Sequence, residues 1–140
     1  MVAVVCSWHV HHEAAIAEVG QRLRRDEDLV VAAPALVEAY SVLTRLPAPH
    51  RLSPAEAWAL LEANSVTDAQ LVALEAAAYR RLLARVVADG MAGGRVYDAV
   101  IAECVMKNDR TTLLTFNVAH FAPFRAAGLD VVVPGEGTRA

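Results

Sequence analysis

The feature of this sequence that most constrains its fold is an alternation of short apolar runs with longer amphipathic segments. The short runs have the length and the Val-rich or Leu-rich composition of buried strands: 28–33, 111–115 and 129–133. The longer segments repeat apolar residues at helical spacing: 11–25, 34–45, 53–62, 75–89 and 97–107. Residues 66–74 suit a further strand or an extended entry into the next helix. Because parallel strands need a crossover connection, this order predicts an α/β fold whose parallel sheet is covered by helices on both faces.

Charge and composition exclude several classes of protein. The net charge is −3 and the pI is near 5.9, which argues against a surface that binds nucleic acid all over and leaves room only for a local patch. No apolar stretch approaches the roughly 18 residues of a membrane span, so we expect a cytoplasmic protein with no membrane association. Cys6 and Cys104 form no Cys-x-x-Cys motif, and we expect both to be reduced thiols.

Local patterns predict helix boundaries and buried faces. The segment Ser53-Pro54-Ala55-Glu56 is typical of a capping box at a helix start. In the helix over 34–45 the predicted inward residues are Leu36, Val37, Tyr40 and Leu43. In the helix over 75–89 they are Tyr79, Leu82, Leu83 and Val86. In the helix over 97–107 they are Val100, Ile101, Cys104 and Val105.

Three polar residues follow predicted strands or lie near the starts of helices, where the sites of parallel sheets are found. Glu38 lies one turn into the helix after the first strand, Asp98 lies near a helix start, and Asn117 comes just after a strand. Each has an ordinary explanation taken singly, since first-turn acids and turn-forming Asn residues are common. Together, and in this order, they are more specific.

Three motifs contain these residues: Pro-x-Leu-Val-Glu ending at Glu38, Tyr-Asp-Ala-Val-Ile-Ala containing Asp98, and Leu-Leu-Thr-Phe-Asn-x-x-His-Phe containing Asn117. In combination they resemble the PIN-domain ribonucleases, especially the VapC-type toxins of bacterial toxin–antitoxin pairs. The likeness covers residues 9–134. It implies a three-layer α/β/α sandwich with a central parallel sheet, and RNA cleavage that depends on Mg²⁺ or Mn²⁺.

The resemblance also implies a role for each site residue. Glu38 and Asp98 match metal ligands of the family, Asn117 stands where the family carries Asp or Asn, and Thr115 lines the same pocket. These residue types suit the chemistry, because Mg²⁺ prefers oxygen ligands and can polarise a phosphodiester. Arg95 is a weaker candidate for contact with an RNA phosphate, since an exposed arginine is the commoner explanation.

The start of the chain departs from the family pattern. The family opens with a strand that ends in Asp-Thr-Asn or Asp-Thr-Ser, whereas this chain has no acid before Glu13. We expect one PIN-like domain over 1–140 that lacks the first strand and its catalytic Asp. The alternative is that Met1–Val5 replaces the strand and that Cys6 and Ser7 stand where Asp-Thr would be.

The expected function is therefore a metal-dependent endoribonuclease toxin that is weakened by the loss of the first Asp. The alternative is an inactive relic that binds antitoxin or RNA without cleaving it, and a plain structural α/β domain is a third reading. The resemblance implies three partners: RNA, a cognate antitoxin protein and a second copy of the chain. The cluster His9-Val-His11-His12-Glu13 would suit zinc or nickel, although a polar helix start is the favoured interpretation.

Overall fold

A computed structural model describes residues 1–107 and 112–136 of the chain. Its helices are α1 (Val2–Val5), α2 (His12–Leu23), α3 (Ala33–Arg45), α4 (Pro54–Leu61), α5 (Ala76–Ala88), α6 (Arg95–Met106) and α7 (Val118–Arg125). Its strands are β1 (Val30–Ala32), β2 (Gln70–Val72), β3 (Thr112–Leu114) and β4 (Asp130–Val132). Helices alternate with short strands, and β3 pairs with β4 in parallel, which confirms the predicted α/β class. Within the described ranges the strands form two two-stranded sheets, β1 with β2 and β3 with β4.

The chain divides into two compact units, Met1–Leu71 and Val72–Ala140. In the first unit, α3 packs against α4 and α1. The core of this unit joins Val5 of α1 to Leu43 of α3 and Leu61 of α4, and both leucines are fully buried. Helices α1, α3 and α4 therefore share one apolar core.

The predicted capping box at the start of α4 is confirmed. The Ser53 hydroxyl accepts a hydrogen bond from the Glu56 N–H at 3.3 Å, and the Glu56 carboxylate accepts one from the Ser53 N–H at 2.8 Å. These contacts hold the pKa of Glu56 below its usual value. After Leu61 the chain forms a wider π-type turn over Glu62–Val66, so the helix predicted to about Glu62 ends with a change of winding.

In the second unit, α6 packs against α5, α7 and β3. Strands β3 and β4 align Leu113 with Val131 and Leu114 with Val132. The predicted inward face of α6 is confirmed, since all four of its residues are buried: Val100, Ile101, Cys104 and Val105. Helices α5 and α7, which pack against α6, contribute the buried residues Leu82 and Phe121. Apolar side chains thus fix the backbone that carries Asp98.

Two predicted buried faces are partly wrong. Val37 is 69% exposed on α3, where the buried positions are Ala39 and Leu43. On α5, Tyr79 and Leu83 are exposed, and the buried positions are Ala78, Leu82 and Val86. In each helix the buried residues are spaced four apart and begin with an alanine, Ala39 in α3 and Ala78 in α5. The small side chain of alanine lets a neighbouring element approach the helix closely.

Several boundaries also differ from the prediction. Val2–Val5 form a helix, so the alternative in which Met1–Val5 replaces the first strand is wrong. The extended part of 66–74 is limited to β2. Helix α7 was not predicted, because Pro123 lies inside it and removes a backbone donor. Thr111, the first residue of the strand predicted over 111–115, and residues 137–140 lie outside the described part of the chain. In the residues that are described, no helix has the length and apolar character needed to cross a membrane.

Candidate functional site

Asp98 is the acid of the predicted site that the structure constrains most. It lies in the first turn of α6, where the helix dipole favours a negative charge. Its side chain is 18% exposed, and the next two residues, Ala99 and Val100, are buried. The carboxylate therefore stands at the edge of the core with access to solvent.

His120 is the partner of this carboxylate. Its Nδ1 atom lies 2.8 Å from Oδ2 of Asp98, and its side chain is 46% exposed. Because α6 and α7 pack together, the first turns of the two helices meet at this pair. No role for His120 was predicted from the sequence. The signal was present in the third motif, where His120 follows Asn117 by one helical turn.

Thr115 and Asn117 form the end of β3 and the start of α7. The Thr115 N–H donates to the Val132 carbonyl at 3.1 Å, which continues the β3–β4 pairing by one residue. The Thr115 hydroxyl accepts a hydrogen bond from the Asn117 N–H at 3.0 Å. Asn117 is exposed at the N-cap of α7, and its carbonyl accepts from the His120 N–H at 3.2 Å. A chain of contacts thus joins Thr115, Asn117, His120 and Asp98.

Glu38 belongs to the first unit. It is exposed on α3, one turn after β1, as its spacing predicted. The α-amino group of Met1 lies within its electrostatic reach: burial lowers the pKa of that amine, and the Glu38 carboxylate opposes the shift. That Glu38 and Asp98 act in one site stays a prediction. Arg95 is exposed at the first position of α6, three residues before Asp98.

Comparison with known proteins identifies the family. The profile of the PIN domain matches residues 1–122, which span both units. The chain belongs to the PIN-domain family. Ribonuclease VapC40 of Mycobacterium tuberculosis is 41% identical over 101 residues, which cover 72% of this chain and 69% of that protein. Ribonuclease VapC27 of the same organism is 32% identical over 131 residues, which cover 94% of this chain and 82% of that protein. No solved structure matches the chain significantly.

The donor chemistry of this PIN domain suits a hard divalent cation. Asp98 offers a carboxylate, Thr115 a hydroxyl and Asn117 an amide, and oxygen ligands are those that Mg²⁺ prefers. These three residues carry little negative charge, however, because Asp98 is the one carboxylate among Asp98, Thr115 and Asn117. Across 1–107 and 112–136, no group of three or more His, Cys, Asp and Glu side chains is placed to hold a metal. The ligand atoms are therefore of the type that Mg²⁺ prefers, and their low total charge predicts that the cation binds weakly.

Two other constellations of this PIN domain are involved in structural contacts. His12 Nδ1 lies 2.9 Å from the Ala3 carbonyl oxygen, and the His9 ring nitrogen accepts a hydrogen bond from the His11 N–H at 3.1 Å. Cys104 is 1% exposed, and burial raises the pKa of its thiol. A protonated, inaccessible thiol is a poor nucleophile, so its role is packing.

Proposed function

We propose that this PIN domain is the toxin of a type II toxin–antitoxin pair and acts as an endoribonuclease that depends on Mg²⁺ or Mn²⁺. The observation that carries the proposal is the 41% identity to a protein named as a ribonuclease, over 72% of the chain. The oxygen donors of Asp98, Thr115 and Asn117 support it, because they suit the cation that phosphodiester hydrolysis of this kind uses.

The proposed roles follow the chemistry of each side chain. Asp98 and Glu38 hold the cation, directly or through water, while Asn117 and Thr115 supply neutral oxygens beside Asp98. Arg95, whose planar guanidinium suits phosphate, contacts the RNA backbone near the start of α6. The cation, when bound, polarises the phosphodiester and favours attack by hydroxide.

The sparse charge of the cluster favours a weakened enzyme. A divalent cation held by fewer carboxylates binds less tightly, because ligand charge helps to set affinity. The same observation supports a second candidate function, a relic that binds RNA or antitoxin without cleavage. In either case the proposed partners are RNA, a cognate antitoxin and a second copy of the chain, and the proposed compartment is the cytoplasm.

The test is cleavage of a structured RNA by the purified 140-residue chain in the presence and absence of Mn²⁺. Asp98→Ala is the inactivating variant. Asp89→Ala is its matched control, because Asp89 is an exposed aspartate of the same unit at the C-cap of α5. Circular dichroism establishes that all three chains fold.

We expect Mn²⁺-dependent cleavage by the parent and by Asp89→Ala, and none by Asp98→Ala. Cleavage that persists in Asp98→Ala would contradict the assigned site and point to a contaminating nuclease. A folded parent that binds RNA and cleaves none at any metal concentration would contradict the enzyme and support the relic.

A further inference from the structure

The contact between Asp98 and His120 has a defined direction. An ionised carboxylate has no hydrogen to donate, so the 2.8 Å contact requires that Nδ1 of His120 carries the proton and donates it to Oδ2. This holds for the neutral Nδ1–H tautomer and for the charged ring alike. The contact thus occupies one oxygen of Asp98 and leaves Oδ1 outside this hydrogen bond.

The packing around Asp98 holds its backbone and does not by itself set the orientation of its carboxylate. Ala99 and Val100 are buried beside it, so the first turn of α6 is held by packing. The terminal torsion of an aspartate is broad, and packing of the backbone does not select one orientation of the carboxylate. The hydrogen bond from His120 supplies this missing constraint, because α7 holds the ring from a separate element.

A role in stability alone does not account for the pair. His120 is 46% exposed, and exposed ion pairs contribute little to folding. A donor that fixes a carboxylate has a larger effect when that carboxylate must meet a cation, because partners that orient a ligand tune metal affinity.

We propose that His120 is a positioning residue that orients the Asp98 carboxylate for a divalent cation and keeps Oδ1 available to it. The inference rests on the proposed function, since Asp98 is a ligand only if the domain uses a metal. It assigns a task to a residue that neither the sequence motif nor the match to relatives assigns.

The experiment compares three replacements of His120 in the full chain. His120→Asn places an N–H donor near the position of Nδ1, His120→Gln places one near Nε2, and His120→Ala removes the donor. Mn²⁺ affinity is measured by the electron paramagnetic resonance signal of the free ion. His50→Ala is the matched control, because His50 is an exposed histidine of the first unit that stacks on Trp8.

We expect His120→Ala and His120→Gln to weaken Mn²⁺ binding about 10-fold to 100-fold, the usual cost of losing a group that orients a metal ligand. His120→Asn should restore most of the affinity, and His50→Ala should match the parent. Equal affinity of His120→Ala and the parent would overturn the positioning role, as would a His120→Asn variant that binds as weakly as His120→Ala.

The Asp98→Ala variant distinguishes failure of the proposed metal site from failure of the positioning role of His120. If it binds Mn²⁺ as well as the parent, the proposed metal site itself fails. If it loses binding while His120→Ala keeps it, only the positioning role fails. A parent chain that binds no Mn²⁺ overturns both.

A second readout needs no metal. Long-range proton–nitrogen NMR spectra at about pH 8 report which ring nitrogen of His120 carries the proton. We expect the Nδ1–H tautomer in the parent and its loss in Asp98→Ala. An Nε2–H ring in the parent would overturn the proposal.

Discussion

Helices α3 and α6 each carry one acid of the proposed site near their start, yet they are buried to very different degrees. On α3 the buried residues are two, Ala39 and Leu43, and Glu38 itself is exposed between the exposed Val37 and the buried Ala39. On α6 the buried residues are six, and they begin directly after Asp98. The comparison shows that two acids predicted for one site can differ in how firmly the fold holds them. The Asp98 carboxylate is held by α6 and by the hydrogen bond from His120 of α7, whereas Glu38 is positioned by α3.

The most severe way to test this comparison is to remove each acid in turn. We expect Asp98→Ala to weaken Mn²⁺ binding more than about 100-fold, because loss of a fixed ligand exceeds the 10-fold to 100-fold cost of losing a group that orients one. We expect Glu38→Ala to weaken it less than about tenfold, because water and salt screen an exposed charge. Titration of both variants with Mn²⁺ measures the ratio. Equal losses would show that exposure on α3 does not limit the contribution of Glu38.

A matched pair of valines tests the packing side of the comparison. Val105 on α6 is 6% exposed, and Val37 on α3 is 69% exposed. We expect Val105→Ala to lower the free energy of unfolding by about 2 kcal/mol through lost burial and an internal cavity. Val37→Ala should change it by less than about 0.5 kcal/mol. Urea denaturation of both variants measures the two changes in the free energy of unfolding. Similar losses for Val105→Ala and Val37→Ala would mean that the two positions are equally well packed.

The smallest expected effect concerns the start of α6. Like α3, this helix lacks a side-chain cap, and its N-cap is Gly94. The φ of Gly94 is −58°, and a Cβ there would meet nothing within 4 Å. With a ψ of −26° its backbone is helical, which any L residue can adopt, so we expect Gly94→Ser to raise the free energy of unfolding by about 0.4 kcal/mol, because serine has less backbone freedom than glycine in the unfolded chain.

Gly93 provides the control for this replacement. Its φ is +64°, so Gly93→Ser should destabilise the chain by about 1 kcal/mol. If the two serine variants unfold at the same urea concentration, the backbone conformations assigned to Gly93 and Gly94 are wrong.

The sequence was sufficient where one periodic pattern decided the outcome. The buried face of α6 and the capping box of α4 follow from spacing and from local hydrogen bonding, so both were predicted correctly. The burial of Val37 was predicted wrongly, because an apolar residue on a helix is buried only if another element covers it. Helix α7 was not predicted, because it contains Pro123 and proline inside a helix is disfavoured.

The site was predictable in its residue types and only partly in its contacts. Asp98 and Asn117 stand where the motifs placed them, at a helix start and after a strand. The third motif contains His120 one helical turn after Asn117, but its pairing with Asp98 depends on how α6 and α7 meet, which the motif does not specify. That Glu38 joins them in one metal site stays a prediction.

The burial of α6 has a consequence for how the proposed activity could be lost. Ala99 and Ala102 are 1% and 0% exposed, so any larger side chain at either position must displace the helix that carries Asp98. A genetic selection for inactive chains should therefore return alterations at these two alanines alongside alterations of the acid itself. The mutational target for inactivation therefore includes buried positions of α6 as well as the side chains of the proposed site.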